Sequence, residues 1–449
     1  MAEFIVAIDL GTSHLTGIVG EKKEDGTFSI LACETEDTIS KVQKGETEET
    51  NSCIYRGIIY NRDNTATHIS NLIRKLEGRL NGDVIEKVYV GVGGQSLRTI
   101  DHSEEIEIED GAVVTEKDLD VLKEQCEYYK PGLMDVLGMA PAVYYLDGRK
   151  DTNPVGVPCK RLEANYKLIV GRSSIRHDIT KCFEKIPDKS LAGIFVSPLA
   201  LSDAILSSKE KELGCAVVDF GAGVTSVTVY KDSELQHLCV IPLGGNLITR
   251  DLTTLQLTKE EAEKLKIDKG SARLNTEDDA ELVKIETDGA EREIKLSDLN
   301  TIIDARAKEI VKNVYARISE AIDKDFRQLG SGIMLAGCAA ELADLSELIK
   351  TECRVKVRFS TLQNGLIIDP EEMYNNPLYL TAISLMLKGT ESCITKKQTV
   401  VKTTYNPPTN TGTETKNPKP DGGGVKKPQG KGLKERLAGI FTTNLFEEE

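Results

Sequence analysis

The feature that most constrains this chain is a pattern that occurs twice: an apolar strand, an aspartate, a glycine turn and a returning strand. The first copy runs from Phe4 to Gly20 around Asp9, and the second runs from Cys215 to Tyr230 around Asp219. Apolar, β-branched segments of this kind are typical of buried strands. An ordinary hairpin explains either copy alone, but the pair indicates two similar half-sites that face one ligand.

The turn of the second copy predicts phosphate binding. Gly221 and Gly223 let backbone N–H groups approach an anion, and the hydroxyl of Thr225 adds a donor. A carboxylate such as Asp219 beside phosphates is explained if a divalent cation lies between them, because Mg²⁺ prefers one or two carboxylates together with phosphate oxygens. The sequence contains no G-x-x-x-x-G-K-[ST] motif, so a P-loop does not compete with this interpretation.

Composition excludes several classes of function. A chain of 449 residues is long enough for several domains, and its net charge of −15 argues against nucleic acid as the main partner. We expect no signal peptide, and no apolar run is long enough to span a bilayer. The ten cysteines form no C-x-x-C pair, which favours reduced thiols over disulfides or a zinc site.

Between the two hairpins, the periodicity predicts a compact insertion followed by a return to the main fold. The insertion is expected to hold an acidic strand, an amphipathic helix and a strand pair, at residues 103–110, 115–128, 142–146 and 165–170. Helices are also predicted over residues 65–78, 174–183 and 299–328. The simplest explanation of the acidic face is a solvated surface.

Three later stretches are candidates for the same site. Gly245 and Asn246 open a helix whose N-terminus could face phosphate. Glu263 and Lys266 lie three positions apart on a predicted helix and share a face, although a surface ion pair explains them equally. The small residues after Gly337 would let a flat base lie against the backbone, and an ordinary βα turn is the alternative.

The last part of the chain changes character at about residue 396. Residues 396–431 are rich in Thr, Asn, Pro, Gly and Lys, which predicts a disordered linker. Residues 432–449 predict an amphipathic helix with lysines nearby, which favours an anionic membrane surface over a partner groove. The apolar residues expected to face the membrane are Leu433, Leu437, Ile440, Phe441, Leu445 and Phe446. One short helix binds weakly, so stable attachment would need several copies acting together.

These pieces, in this order, resemble the actin–Hsp70–sugar-kinase superfamily, and within it the FtsA family of bacterial division proteins. The resemblance covers residues 4–388 and the tail. It implies an α/β, actin-like ATPase fold with two lobes around ATP and Mg²⁺. The expected domains are a first-lobe core at 1–87 and 171–212, an FtsA-type insertion at 88–170, a second-lobe core at 213–244 and 330–395, and a small second-lobe subdomain at 245–329.

The resemblance also implies roles for single residues. The first phosphate loop would be Gly11, Thr12 and Ser13, and the second would be Gly221, Ala222, Gly223 and Thr225, with Asp9 and Asp219 holding Mg²⁺. Glu263 and Lys266 would meet the ribose or base, and Gly337, Cys338 and Ala339 would meet the adenosine. Filaments of the protein would tether FtsZ to the cytoplasmic face of the inner membrane. The FtsZ C-terminal peptide would dock on the small second-lobe subdomain, and further division proteins would bind as well.

The sequence departs from the family pattern at four positions. His14 stands where relatives usually have Lys, Cys338 replaces a glycine, and Val224 stands where Thr is usual. Ser197 precedes Pro198 where Hsp70-like relatives have a Glu that positions water. We therefore expect ATP binding with slow or negligible hydrolysis.

Two alternatives remain open at this stage. A small-molecule kinase of the superfamily is disfavoured because the chain has no insertion rich in carboxylates and aromatics, and aromatic residues make up 5% of it. A PilM-like assembly protein would share the fold and bind a peptide, but such proteins lack the amphipathic tail. MreB is less favoured still, because it lacks an insertion of this length after Val88.

Overall fold

The computed structural model describes residues 3–44, 47–275, 281–287, 290–370 and 374–395. The predicted linker at 396–431 and the predicted membrane helix at 432–449 lie outside the described residues. Within the described part of the chain, no helix has the length and apolar character needed to cross a bilayer.

The first copy of the hairpin lies at the centre of a five-stranded sheet with the strand order β15-β9-β1-β2-β3. β1 is antiparallel to β2 and parallel to β9, as expected when a hairpin continues into an α/β crossover. The strands are β1 (Glu3–Leu10), β2 (His14–Lys22), β3 (Phe28–Asp37), β9 (Lys87–Val92) and β15 (Ser190–Val196). Residues 88–92, at the start of the expected insertion, thus lie in the first sheet.

Helices cover both faces of this sheet. Gly17 and Gly20 of β2 face opposite sides, where a Cβ on Gly17 would lie 2.9 Å from Leu76 and one on Gly20 would meet Met386. These glycines therefore let two helices approach the sheet closely. The helices of this half are α1 (Arg62–Arg79), α3 (Ser174–Phe183), α4 (Ser197–Ile205), α5 (Ser208–Leu213) and α10 (Pro377–Met386).

The second copy of the hairpin lies in a ten-stranded sheet whose path is β13-β12-β14-β10-β18-β17-β16-β21-β22, with β11 paired to β14. Strands of the insertion form one end of this sheet, because Arg98 of β10 pairs with Cys239 of β18. The N–H of Val240 also donates to the carbonyl of Leu97 at 3.1 Å. The second-lobe strands are β16 (Cys215–Phe220), β17 (Thr225–Lys231), β18 (Glu234–Ile241), β21 (Gly332–Ala336) and β22 (Val357–Phe359).

The insertion has a small apolar core of its own, which includes Leu122, Cys126 and Leu162. Its helix α2 (Glu116–Glu127) packs on β10 and β14. The strands are β10 (Arg98–Glu107), β11 (Met134–Met139), β12 (Val143–Leu146), β13 (Arg149–Asp151) and β14 (Arg161–Arg172).

The remaining helices pack around the second lobe. They are α6 (Gly245–Leu252), α7 (Lys259–Lys269), α8 (Leu296–Ala321) and α9 (Leu345–Cys353). The prediction that the long helix extends to residue 328 is wrong, because α8 ends at Ala321 and the backbone turns left-handed at Asp323 and Lys324. Short strands complete the described fold: β4 (Ile39–Lys44), β5 (Thr47–Ser52), β6 (Ile54–Tyr55), β7 (Ile58–Ile59), β8 (Val84–Ile85), β19 (Leu282–Thr287), β20 (Ala290–Lys295) and β23 (Ile394–Thr395).

Candidate functional site

Asp9 is a half-buried carboxylate next to the end of β1. Its Oδ1 accepts a hydrogen bond of 2.8 Å from the hydroxyl of Ser197, the first residue of α4. Gly91 of β9 packs against this pair, since a Cβ there would lie 3.0 Å from Asp9 Oδ1. Burial raises the pKa of Asp9 to about 6, and the hydrogen bond from Ser197 partly opposes that rise.

Asp219 holds the matching position in the second hairpin. Burial, and then the negative charge of Asp9, raise its pKa to about 7, while a hydrogen bond from Ser226 opposes the rise. Asp9 therefore lies near enough to Asp219 for the two charges to interact. A divalent cation between them would favour the charged form of both groups, so this pair fits Mg²⁺.

The turns of the two hairpins touch through Thr12. A Cβ on Gly223 would lie 2.7 Å from Thr12 Cγ2, so a glycine is required where the second turn meets the first. Thr12 Oγ1 accepts a 3.0 Å hydrogen bond from the N–H of Gly57. The hydroxyl of Thr38 donates to the carbonyls of Thr12 and Ser13, at 2.6 and 2.9 Å. The first turn is therefore held from both sides.

The N-terminus of α6 supports the second turn. The N–H of Gly245 donates to the carbonyl of Gly221 at 3.0 Å, and that of Asn246 donates to the carbonyl of Ala222 at 2.8 Å. These two helix donors are thus used inside the protein. The N–H groups of Ala222 and Gly223 donate to no acceptor among the described residues, and they are the groups of this turn that remain for an anion.

Gly11 and Thr225, which were also predicted to contact phosphate, make contacts inside the protein. Gly11 packs on the backbone of His14, where a Cβ would lie 3.6 Å from the carbonyl carbon. His14 Nε2 lies 3.3 Å from Asp37 Oδ1, and both side chains are well exposed. The hydroxyl of Thr225 donates to the carbonyl of Leu243 at 2.8 Å, which joins the second hairpin to the segment before α6.

Glu263 and Lys266 of α7 belong to a polar network behind this turn. The ammonium of Lys266 donates to Glu263 Oε2 at 2.6 Å and to the hydroxyl of Thr249 at 3.0 Å. Thr249 in turn donates to Glu263. Lys266 is 8% exposed, so this is a buried lysine with its partners in place rather than a surface ion pair.

The third predicted turn packs directly against the second hairpin. Gly337 has φ of +81°, and a Cβ there would lie 2.7 Å from the carbonyl carbon of Phe220. Glycine is therefore needed here for both its left-handed backbone and its lack of a side chain. Cys338 is exposed and begins a short 3-10 turn, and Ala339 lies 3.2 Å from the position of a Cβ on Gly245. The predicted adenosine turn thus adjoins the second phosphate turn.

Several residues of the site were not predicted from the sequence. Gly57, Thr38 and Gly91 contact the first hairpin, and Thr249 joins Glu263 and Lys266. None of them lies within a recognisable motif, because each acts through a contact made only after the chain folds. Ser197 was noted as a departure from a family pattern, and its bond to Asp9 is a new finding.

Comparisons with known proteins agree with this geometry. A family profile described as "Cell division protein FtsA" matches residues 216–384, and one described as "SHS2 domain inserted in FTSA" matches residues 94–170. The Cell division protein FtsA of Porphyromonas gingivalis is 30% identical over 402 residues, which cover 88% of this chain and 80% of that protein. The Escherichia coli K12 protein of the same name is 27% identical over 420 residues, covering 89% and 93%.

Solved structures show the fold. A structure of the PilM-PilN type IV pilus biogenesis complex aligns with a TM-score of 0.58 at 14% identity, over 86% of this chain and 98% of that chain. MreB5 of Spiroplasma citri bound to ADP aligns with a TM-score of 0.50 at 11% identity, over 85% and 94%. The predicted actin-like fold is therefore confirmed, and by its similarity to the relatives above the chain belongs to the FtsA family of cell-division proteins.

Proposed function

We propose that the chain binds ATP with Mg²⁺ between its two hairpins. The observation that carries this proposal is the pair of half-buried carboxylates, Asp9 and Asp219, each with a raised pKa and each beside a glycine turn. Such a pair is costly to keep charged without a cation. The N–H groups of Ala222 and Gly223 would receive phosphate oxygens, and the turn at Gly337 would receive the adenosine.

ATP in this proposal is a structural ligand with slow or negligible hydrolysis. The hydroxyl of Ser197 donates a hydrogen bond to Asp9 and so orients that carboxylate, and a serine hydroxyl has no basic group with which to activate water. Bound nucleotide would then set the relative position of the two hairpins, whose turns already meet at Thr12 and Gly223.

The cellular role that we propose is that of a division adaptor. Filaments of the protein would lie on the cytoplasmic face of the inner membrane, held there by residues 432–449, and would tether FtsZ. The FtsZ C-terminal peptide would dock on the small subdomain at 245–329. Three apolar side chains of this region are well exposed, which favours a peptide site there: Ile267, Leu274 and Leu282, at 68%, 47% and 51%.

Co-sedimentation with anionic liposomes in ATP and Mg²⁺ tests the adaptor role, with the full chain compared with a chain that ends at Lys396. We expect the full chain to pellet and the truncated chain to stay in the supernatant. Neutral liposomes are the control for the charge contribution. When FtsZ is added, we expect FtsZ to pellet with the full chain and not with the truncated chain. If the full chain stays in the supernatant as well, membrane anchoring by the tail is wrong.

A further inference from the structure

A groove of about 990 Å³ opens on the second lobe, away from the carboxylate pair. Its walls come from the end of α8, the segment before β21 and the segment between α9 and β22. Asp219 lies near the carboxyl end of β16, and β21 and β22 run parallel to that strand. The groove residues precede β21 and β22, so the groove is at the opposite end of the sheet from the proposed nucleotide site.

The groove is lined by more cations than carboxylates. Lys324, Arg327, Arg354 and Lys356 line it, with Glu352 as the one acidic residue of the lining. Arg327 is paired with Asp325, which is outside the lining, at 2.7 Å. The other three cations have no carboxylate partner within 4 Å in the described part of the chain.

Two of the groove cations lie just after helices, at positions with a left-handed backbone. Lys324 and Arg354 have φ of +64° and +54°, a conformation that glycine and asparagine adopt at lower cost just after a helix. Favourable interaction with the helix dipole explains a cation at each of these helix ends. It does not explain Arg327 and Lys356, so the groove as a whole is more basic than its helix ends require.

The floor of the groove is aromatic. The rings of Tyr315 and Phe326 stack with their centroids 4.8 Å apart, and both residues line the groove. An occupant that complements this surface carries several carboxylates and at least one exposed apolar side chain.

Helix α2 of the insertion presents such a surface. Glu116, Asp120 and Glu124 follow one another at intervals of four, so they form one exposed stripe, and none has an ion-pair partner among the described residues. Val121 and Tyr128 are 45% and 81% exposed on the same helix and at its end. The opposite side of α2 is fixed on the insertion by its buried Leu122 and Cys126.

We propose that the acidic stripe of α2 docks in the basic groove of a second copy of this chain. α2 is held on its own insertion and does not line the groove of its own molecule, so the contact joins two molecules. Copies with a net charge of −15 repel one another, and local charge complementarity of this kind offsets that repulsion where two copies meet. This inference rests on the self-association included in the proposed function, and it assigns the two surfaces through which copies of the chain would contact each other.

Charge reversal on the full chain tests the proposal in sedimentation velocity with ATP and Mg²⁺ and without lipid. The groove variant is Arg327→Glu with Lys356→Glu, and the helix variant is Asp120→Lys with Glu124→Lys. We expect each to raise the dissociation constant of self-association at least tenfold, and the four changes together to restore it to within threefold of the wild type. Lys209→Glu with Lys264→Glu, outside the groove, controls for net charge and should have little effect.

Three results would overturn the proposal. Unchanged association in either variant removes the corresponding surface from the contact. A combined variant as weak as the separate ones shows that the two surfaces do not meet. A wild-type chain that stays monomeric in all conditions removes self-association itself, whereas the liposome experiment still tests membrane anchoring independently. Thermal unfolding of each variant verifies that it is folded.

Discussion

At the scale of single residues, the site contains carboxylates whose charged form is disfavoured in the ligand-free protein. Asp9 and Asp219 are both half-buried, the charge of Asp9 disfavours that of Asp219, and Ser197 holds Asp9 in place. Buried like charges lower stability unless something neutralises them. Mutations of this pair should therefore affect the ligand-free and ligand-bound protein in opposite directions.

Asp219→Asn should stabilise the ligand-free chain by about 1 kcal/mol, because it removes one of two repelling half-buried carboxylates. The same change should weaken ATP binding at least tenfold in Mg²⁺ and much less in EDTA, since the lost carboxylate serves the cation. Calorimetry and thermal unfolding measure the two effects. Asp232→Asn, at an exposed turn where the side chain is 71% accessible, is the matched control. Equal losses with and without Mg²⁺ would contradict the proposed metal role.

Thr12→Val should destabilise the chain by about 1 kcal/mol. The change keeps the shape of the side chain but removes the oxygen that accepts the N–H of Gly57. Thr12→Ser keeps that oxygen and serves as the control, so it should lie close to the wild type. Urea unfolding measures both variants, and similar midpoints for valine and serine would show that the Gly57 bond contributes little.

At the scale of secondary-structure elements, helices with a clear apolar period and a clear start were the most predictable. The helix at Ser174–Phe183 has the predicted bounds, and the insertion helix predicted over 115–128 is observed at Glu116–Glu127. The end of α8 was not predictable, because the left-handed residues that end it are Asp323 and Lys324 rather than glycine or proline. The pairing of β10 with β18 left no sequence signal, since it rests on one residue pair between distant segments.

Lys211 of α5 and Lys388, which follows α10, both donate to Asp203 of α4. This contact should make the stability of the fold sensitive to acid. Burial favours the neutral form of Asp203. Lys211 and Lys388 outweigh that effect through their positive charges and their hydrogen bonds, so the pKa of Asp203 is lowered. Because the folded-state pKa is depressed, this stabilisation is present above the unfolded value, near 3.9, and is lost as pH falls through the folded value.

Asp203→Asn should cost about 1 kcal/mol at pH 7 and progressively less below about pH 4, as the pH falls from the unfolded pKa through the lowered folded pKa of the wild-type carboxylate. Urea unfolding between about pH 2 and pH 7 measures the difference between the two proteins and spans the window in which the stabilisation is lost. Asp232→Asn again serves as the exposed control. A constant cost of Asp203→Asn across the range would contradict an electrostatic role.

At the scale of the whole molecule, the order of motifs along the chain predicted the fold better than any single motif. The predicted actin-like architecture and family membership are confirmed. The convergence of the three glycine turns agrees with that fold, whereas their roles toward nucleotide remain proposals. The domain boundaries remain predictions as well, with residues 88–92 of the expected insertion observed in the first sheet.

ATP with Mg²⁺ should stabilise the whole described fold against unfolding, because it binds groups from both hairpins. At a hundredfold excess over the dissociation constant the gain is about 2.7 kcal/mol. Thermal unfolding measures it as a higher midpoint, and chelation of Mg²⁺ with EDTA should remove most of it. A midpoint that is unaffected by ATP and Mg²⁺ in the wild type would contradict nucleotide binding between the hairpins.

The pairing of Arg98 with Cys239 has a mechanical consequence. The inserted strands follow the first lobe in sequence but share a sheet with the second, which they join through this pair and the hydrogen bond from Val240 to Leu97. If the second lobe swings relative to the first, it must either carry the insertion along or break these contacts. A rotation of one lobe relative to the other near the carboxylate pair would then displace α2, the surface to which we expect another molecule to bind.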